Sequence, residues 1–112
     1  MQNGIQMTDD DEILRAAQPE RVGVLRRAEA LTCGPRNASY GSPVQNMQDT
    51  ADLWSVVLGV PVTAQQVAIC MSLVKVARLV KTPDHQDSHD DAAAYMAIAY
   101  ECAVAKKDAP PD

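Results

Sequence analysis

The stretch Val67-Ala68-Ile69-Cys70-Met71-Ser72-Leu73-Val74-Lys75-Val76-Ala77-Arg78-Leu79-Val80-Lys81 decides the fold. At 100° per residue its apolar groups cover nearly every direction, and only Ser72, Lys75, Arg78 and Lys81 interrupt them. A helix that is apolar all round is buried. In a small monomer one side would face water, so this helix either sits at the centre or meets a second subunit. The spacing predicts a helix that runs to about Lys81. A polar connection follows, Thr82-Pro83-Asp84-His85-Gln86, and then Asp87-Ser88-His89-Asp90-Asp91 opens another helix that runs to about Ala105. Asp87 or Ser88 is the expected N-cap, and the acidic residues suit the positive end of that helix. So short a connection favours antiparallel neighbours.

Working outward, Thr63 and Gln66 form a capping box at the head of the apolar helix. Before it, Ser42 and Pro43 start a helix whose stripe is Val44, Met47, Ala51, Trp54 and Leu58, and Gly59 ends it. An earlier helix is expected from about Pro19 to Thr32 on the stripe Val24, Leu25, Ala28 and Leu31. It should stop at Cys33-Gly34-Pro35, with Gly34 as a left-handed cap. The sum is an all-α chain, a small antiparallel four-helix bundle without strands. Residues 1–11 read as a disordered acidic tail, 12–106 as the helical domain and 107–112 as a disordered C-terminal tail.

Composition narrows the function. A chain of 112 residues makes one domain with a thin core. Aromatic residues are only 4%, with no Phe, so Val, Leu, Ala and Met must fill the interior. Little buried area per residue makes self-association attractive, and a homo-oligomer is expected. A net charge of −5 argues against a nucleic-acid polymer as partner, although one local basic pocket can still hold a small anion. No apolar run reaches the roughly 20 residues of a membrane span. The acidic N-terminus has neither the basic start nor the apolar stretch of a secretory signal, which reads as a cytoplasmic protein. The odd count of Cys33, Cys70 and Cys102, without a CxxC pair, indicates no disulfide framework or zinc knuckle. Cys70 and Cys102, in apolar helical contexts, are expected to be buried thiols.

The candidate chemistry lies on the last two helices. Lys75 and Arg78 share a face with Met71. Laid antiparallel, Arg78 falls near Asp91 and Lys75 near Tyr95, while Asp87 and Asp91 share a face with Ile98. His85 lies within reach of this cluster. In one reading Arg78–Asp91 and Lys75–Tyr95 are interior pairs that fix helix register. In the other, the cations hold phosphate oxygens and the carboxylates hold a metal ion or a sugar hydroxyl. The loop Arg36-Asn37-Ala38-Ser39-Tyr40, between Gly34 and Gly41, offers a second binding element or a capped interhelical lid. His85 and His89 are separated by a turn and a cap, so they need not share a helix face. No nucleophile triad and no phosphate-cradling glycine loop are present in the sequence.

The string Arg36-x-x-Ser39-Tyr40-Gly41-x-Pro43-x-x-Asn46, then Trp54, Val67-Ala68, Met71, Lys75-x-Ala77-Arg78-Leu79, His85-x-Asp87-Ser88-x-x-Asp91 and Tyr95, resembles a family of small phage and prophage proteins. The family is a domain of unknown function, and the likeness covers about Glu29 to Cys102. It is similar in turn to phage nucleotide-modification-associated domains, and more remotely to the all-α MazG-type nucleotide pyrophosphohydrolases. Departures are visible at Pro35 and Ser42, where the family often has an acidic residue, and at His89, where it has an aromatic. The resemblance implies a helical nucleotide-handling fold acting in the cytoplasm of a bacterial host. The family has no established activity to carry over; the helix cluster and the loop, read together with this pattern, give Arg36, Ser39, Tyr40, Asn46, Lys75, Arg78, His85, Asp87, Asp91 and Tyr95 as the expected ligand set.

MazG-type enzymes hold magnesium with an ExxE pair on one helix and an ExxD pair on the next. This chain has no ExxE, and its nearest substitute, Asp49-x-x-Asp52, projects away from the apolar stripe as a solvated face. Asp87 and Asp91 could hold one magnesium; no other cofactor is indicated. Three functions follow as expectations. The first is a phage-encoded binder of a nucleotide or a nucleotide-derived immune signal, acting as a sponge or as an accessory in nucleotide metabolism. The second is a magnesium-dependent nucleotide hydrolase. The third is a non-catalytic helical interaction module.

Overall fold

The computed structural model describes residues 8–16, 18–34 and 41–108. Among them are a short helix α1 (Asp9–Ala16) and four longer ones, α2 (Glu20–Cys33), α3 (Pro43–Leu58), α4 (Ala64–Arg78) and α5 (Gln86–Asp108). No strand occurs among the described residues. The chain is a small helical bundle, with α4 and α5 as its most extensive pair. Helix α3 packs on α4 and α5, and α2 packs on α5.

The local signals act as their chemistry requires. The Ser42 hydroxyl accepts from the Gln45 N–H at 3.1 Å, and Pro43 takes the first turn of α3, where its missing N–H is harmless. Gly59 ends α3 in the left-handed conformation at φ 72°, donating to the Ser55 carbonyl at 3.0 Å. Ser55 then pins the turn. Its hydroxyl donates to the Ala51 carbonyl at 2.8 Å and accepts from the Val62 N–H at 2.9 Å. The Thr63–Gln66 capping box is complete, with both reciprocal bonds formed.

The core is thin and built from small residues. Ala51, Val67 and Ala68 are wholly enclosed, and Met47, Ala64, Ala99 and Cys102 complete the buried cluster. Trp54, Met71, Tyr95 and Ile98 pack against it while keeping some exposure. Alanines at the helix contacts let backbones approach closely. Ser72 uses that closeness, donating from its hydroxyl to the Ala92 carbonyl at 2.9 Å across the α4–α5 seam.

Several local expectations are corrected. Gly34 is extended (φ −87°, ψ −164°), not left-handed. Helix α4 stops at Arg78 instead of reaching Lys81, because the Leu79 and Val80 N–H groups tighten to carbonyls three residues back. Helix α5 begins at Gln86, ahead of both expected caps, and the His89 N–H bonds to the His85 carbonyl at 3.3 Å. At its far end it extends to Asp108. Cys70 is exposed, because it lies on the side of α4 away from α3 and α5; Cys102 is buried as expected. At the N-terminus, Asp9–Asp11 belong to α1 instead of a disordered tail, while 1–7 and 109–112 lie outside the described residues.

Candidate functional site

Four helices contribute to a pocket of about 320 Å3. Leu31 comes from α2, Pro43, Asn46 and Met47 from α3, Lys75 from α4, and Asp91, Tyr95 and Ile98 from α5. Gly41 lines the rim at φ 77°, a left-handed conformation that a side chain would strain. The polar centre of the wall is an ion pair. Lys75 Nζ stands 2.9 Å from Asp91 Oδ2, with 17% and 28% of the two side chains exposed. Asn46 supplies an amide, and Tyr95 supplies a ring and a hydroxyl. Met47, Leu31 and Ile98 make the remaining wall apolar.

This pairing corrects the expected alignment, in which Arg78 met Asp91 and Lys75 met Tyr95. The cause lies in the connection. Because α4 ends at Arg78 and α5 starts at Gln86, the centre of the hairpin moves toward the N-terminus. Each α4 residue then faces an α5 position about one turn earlier. Arg78 is displaced from the cluster altogether. It is exposed and lines a second, more open groove of about 560 Å3 with Ala77, Val80, Lys81, Thr82 and His85.

The two histidines are occupied locally. His85 Nδ1 lies 2.7 Å from the buried Ser88 hydroxyl, bracing the first turn of α5. His89 Nε2 donates to the Pro83 carbonyl at 2.8 Å and so ties the connection to the helix. Asp87 is exposed in the first turn of α5. Among the described residues no group of three His, Cys, Asp or Glu side chains is arranged to hold a metal ion. Of the expected magnesium pair, Asp91 already has the Lys75 ammonium beside it. Asp49 and Asp52 are exposed and accept from Gln45 and Gln48 at 2.8 and 2.9 Å.

One pair carries no strong signal in the sequence. Arg27 Nε donates to Asp90 Oδ2 at 2.6 Å, where the Asp90 side chain is 5% exposed and that of Arg27 42%. The hydrogen bond to Asp90 raises the guanidinium pKa above its ordinary value, against the opposing effect of burial. Asp90 Oδ1 is buried without a hydrogen-bond partner. Arg27–Asp90 joins α2 to α5, whereas the contacts between α4 and α5 are Lys75–Asp91 and Ser72–Ala92. A cue was available: Asp90 faces away from Asp91 on the helical wheel, and Gly23 stands four residues before Arg27. Of the remaining expected ligand residues, Arg36, Ser39 and Tyr40 lie outside the described residues. Asn46, Lys75, Asp91 and Tyr95 are brought together at one pocket; Arg78 and His85 are brought together at the other.

Among the described residues, no helix is long and apolar enough to cross a membrane. No solved structure matches the chain. It is similar to Gene 55 protein of Mycobacterium phage D29, with 40% identity over 72 residues, 64% of this chain and 48% of the relative. It is also similar to Gene 55 protein of Mycobacterium phage L5, with 35% identity over 78 residues, 69% of this chain and 50% of the relative. The chain thus spans about half the length of the curated relatives it matches. A family model described as Domain of unknown function (DUF6378) matches residues 23–103, which takes in α3, α4, most of α2 and α5 and both pockets, and the chain belongs to that family.

Proposed function

We propose that the pocket between α2, α3, α4 and α5 binds a small nucleotide-type ligand of low charge. The observation that carries this reading is the half-sheltered Lys75–Asp91 pair on the pocket wall. An ammonium beside a carboxylate presents a donor for an anionic oxygen and an acceptor for hydroxyl or amino groups, side by side. Asn46 can read a base edge as donor or acceptor. The Tyr95 ring and the apolar wall from Leu31, Met47 and Ile98 suit a flat heterocycle. A pocket of about 320 Å3 is at the small end of ligand sites. One lysine, already paired, favours a nucleoside or a nucleoside monophosphate over a triphosphate.

Binding is preferred to hydrolysis. A magnesium-dependent reaction would ask Asp87 and Asp91 to hold the ion, and Asp91 is engaged by Lys75. With relatives in mycobacteriophages, the proposed role is to withdraw a nucleotide or a nucleotide-derived immune signal in an infected cell, or to assist nucleotide metabolism there.

The test is a thermal-shift panel of nucleosides, nucleoside mono-, di- and triphosphates and cyclic dinucleotides, with and without magnesium. A ligand at a hundredfold its Kd stabilises the fold by about 2.7 kcal/mol, a rise of several degrees. Lys75→Met should abolish the shift while leaving the helical signal intact. Product formation that needs magnesium would replace binding with hydrolysis, and a panel without any shift would overturn the proposal.

A further inference from the structure

Residues 77–85 close the α4–α5 hairpin and fold round the open groove of about 560 Å3. Arg78, Lys81, Thr82 and His85 supply its polar groups, and Ala77 and Val80 its apolar ones. None of them lines the pocket at Lys75 and Asp91, so the groove is a separate place on the surface. Two of its side chains carry full positive charge, and their surroundings leave both unused. The ion pairs among the described residues are Arg27–Asp90 and Lys75–Asp91, so Arg78 and Lys81 have no acidic partner there. The end of α4 does not occupy them either. The carbonyls of Val76, Ala77 and Arg78 accept the backbone N–H groups of Leu79, Val80 and Thr82 at 2.9, 3.3 and 3.2 Å, without a cationic side chain. His85 is held by its other edge. Its Nδ1 lies 2.7 Å from the buried Ser88 hydroxyl, which leaves Nε2 without a partner among the described residues.

We propose that this groove is an anion site that takes the phosphate group of a small phosphate monoester, separate from the proposed nucleotide pocket and independent of it. Charge selects an anion. Within residues 77–85 the only acid is Asp84, which is exposed and outside the groove lining. A helix C-terminus contributes about half a negative charge, roughly a quarter of what the two cations supply. Charge and hydrogen bonding together select phosphate over carboxylate. Arg78 offers a planar fork of donors and Lys81 a compact point charge. A phosphate dianion engages both, whereas a carboxylate leaves one cation unmatched. The Thr82 hydroxyl and the His85 imidazole are further groups for the remaining oxygens. Size selects an ester. A groove of about 560 Å3 lies well inside the range of ligand sites and leaves room beyond one phosphate. Ala77 and Val80 then face the group that the phosphate carries.

Titration of the full chain with inorganic phosphate and with phenyl phosphate, followed by the NMR signals of the His85 ring, tests the proposal. The measurement is made at about pH 8, where phosphate esters are dianions, and sodium chloride holds the ionic strength constant to exclude general screening. Both anions should shift the His85 signals with a Kd on the order of millimolar. Benzoate, a carboxylate on the same ring, should bind about tenfold more weakly than phenyl phosphate. A tighter phenyl phosphate assigns the site to esters, and equal affinities assign it to free phosphate. Arg78→Gln and Lys81→Gln should each weaken phosphate binding about tenfold. Both side chains are exposed and without an ion pair, so the helical circular-dichroism signal should persist in each variant. Lys106→Gln, which removes the same charge at the far end of α5, should bind phosphate as the wild type does. Four results would overturn the assignment: no His85 response to phosphate, benzoate as tight as phenyl phosphate, a response that survives both Arg78→Gln and Lys81→Gln, or one lost in Lys75→Met and kept in Arg78→Gln.

Discussion

Arg27 reaches from α2 to Asp90 on α5, its Nε 2.6 Å from a carboxylate that is almost sealed from solvent. The neighbouring residue, Asp91, points the other way to Lys75 and the pocket. Two adjacent acids at the head of one helix thus do different work. One fastens α2, and the other furnishes a binding wall. An enclosed carboxylate with one partner is costly to strand and cheap to replace by an apolar group. Arg27→Met should therefore lower the urea midpoint clearly, and Arg27→Met with Asp90→Leu should recover most of the loss. If the double variant is as unstable as the single one, the pair is not what holds α2 in place.

Gly23 belongs to the same arrangement. It sits inside α2, where glycine is less favourable than alanine by about 1 kcal/mol. A Cβ at this position would lie 2.9 Å from Arg27 Nη1, because the guanidinium folds back over the helix. Gly23→Ala should therefore gain helix propensity and lose part of the Arg27–Asp90 bond. The gain of about 1 kcal/mol should emerge in full only in the Arg27→Met/Asp90→Leu background. Equal effects of Gly23→Ala in both backgrounds would separate the glycine from the ion pair.

Lys75 and Asp91 should part stability from binding. Both are partly sheltered, so removing either one should destabilise by about 1–2 kcal/mol, between the values for exposed and buried pairs. The exchange Lys75→Asp with Asp91→Lys keeps opposite charges in contact and should restore most of that stability. It also swaps the donor and the acceptor relative to Asn46 and Tyr95. A nucleotide found in the thermal-shift panel should then bind about 10- to 100-fold more weakly, the loss of one charge-assisted hydrogen bond. Full recovery of affinity by the exchanged pair would place the ligand elsewhere.

How much of this was legible in the sequence depends on the range of the physics involved. Capping is local, so Ser42, Gly59 and the Thr63–Gln66 box could be read from adjacent residues, and the helical class followed. The existence of a basic–acidic cluster at Lys75 and Asp91 was also legible. Its register was not, because it depends on where α4 stops, and no glycine or proline marks Arg78 as the last residue. Leu79 and Val80 look as helical as the residues before them, and the three-residue backbonds that end the helix leave no trace in composition. Arg27–Asp90 was harder still. It joins residues 63 positions apart, and the Asp90 carboxylate has an adequate local explanation at a helix N-terminus. The exposure of Cys70 depends on which side of α4 its neighbours cover, and an all-round apolar helix gives no hint of that.

The three cysteines report on the packing independently. Cys33 and Cys70 are exposed and should react quickly with a thiol reagent, while Cys102, 4% exposed on α5, should react only on unfolding. Burial raises the Cys102 pKa above its ordinary 9.0, with a smaller contribution from Glu101. Well below pH 9 the thiol is protonated in both the folded and the unfolded chain, and its contribution to stability is fully present. Above that the unfolded chain ionises first, so stability falls as pH rises until the folded thiol also ionises. Cys102→Ala lacks this proton. Its stability should decline less steeply between about pH 8.5 and 10 in urea titrations, with the lysines and tyrosines contributing alike to both proteins. Parallel slopes for the two proteins, or three thiols reacting at one fast rate, would mean that α5 does not seal Cys102 against α3 and α4.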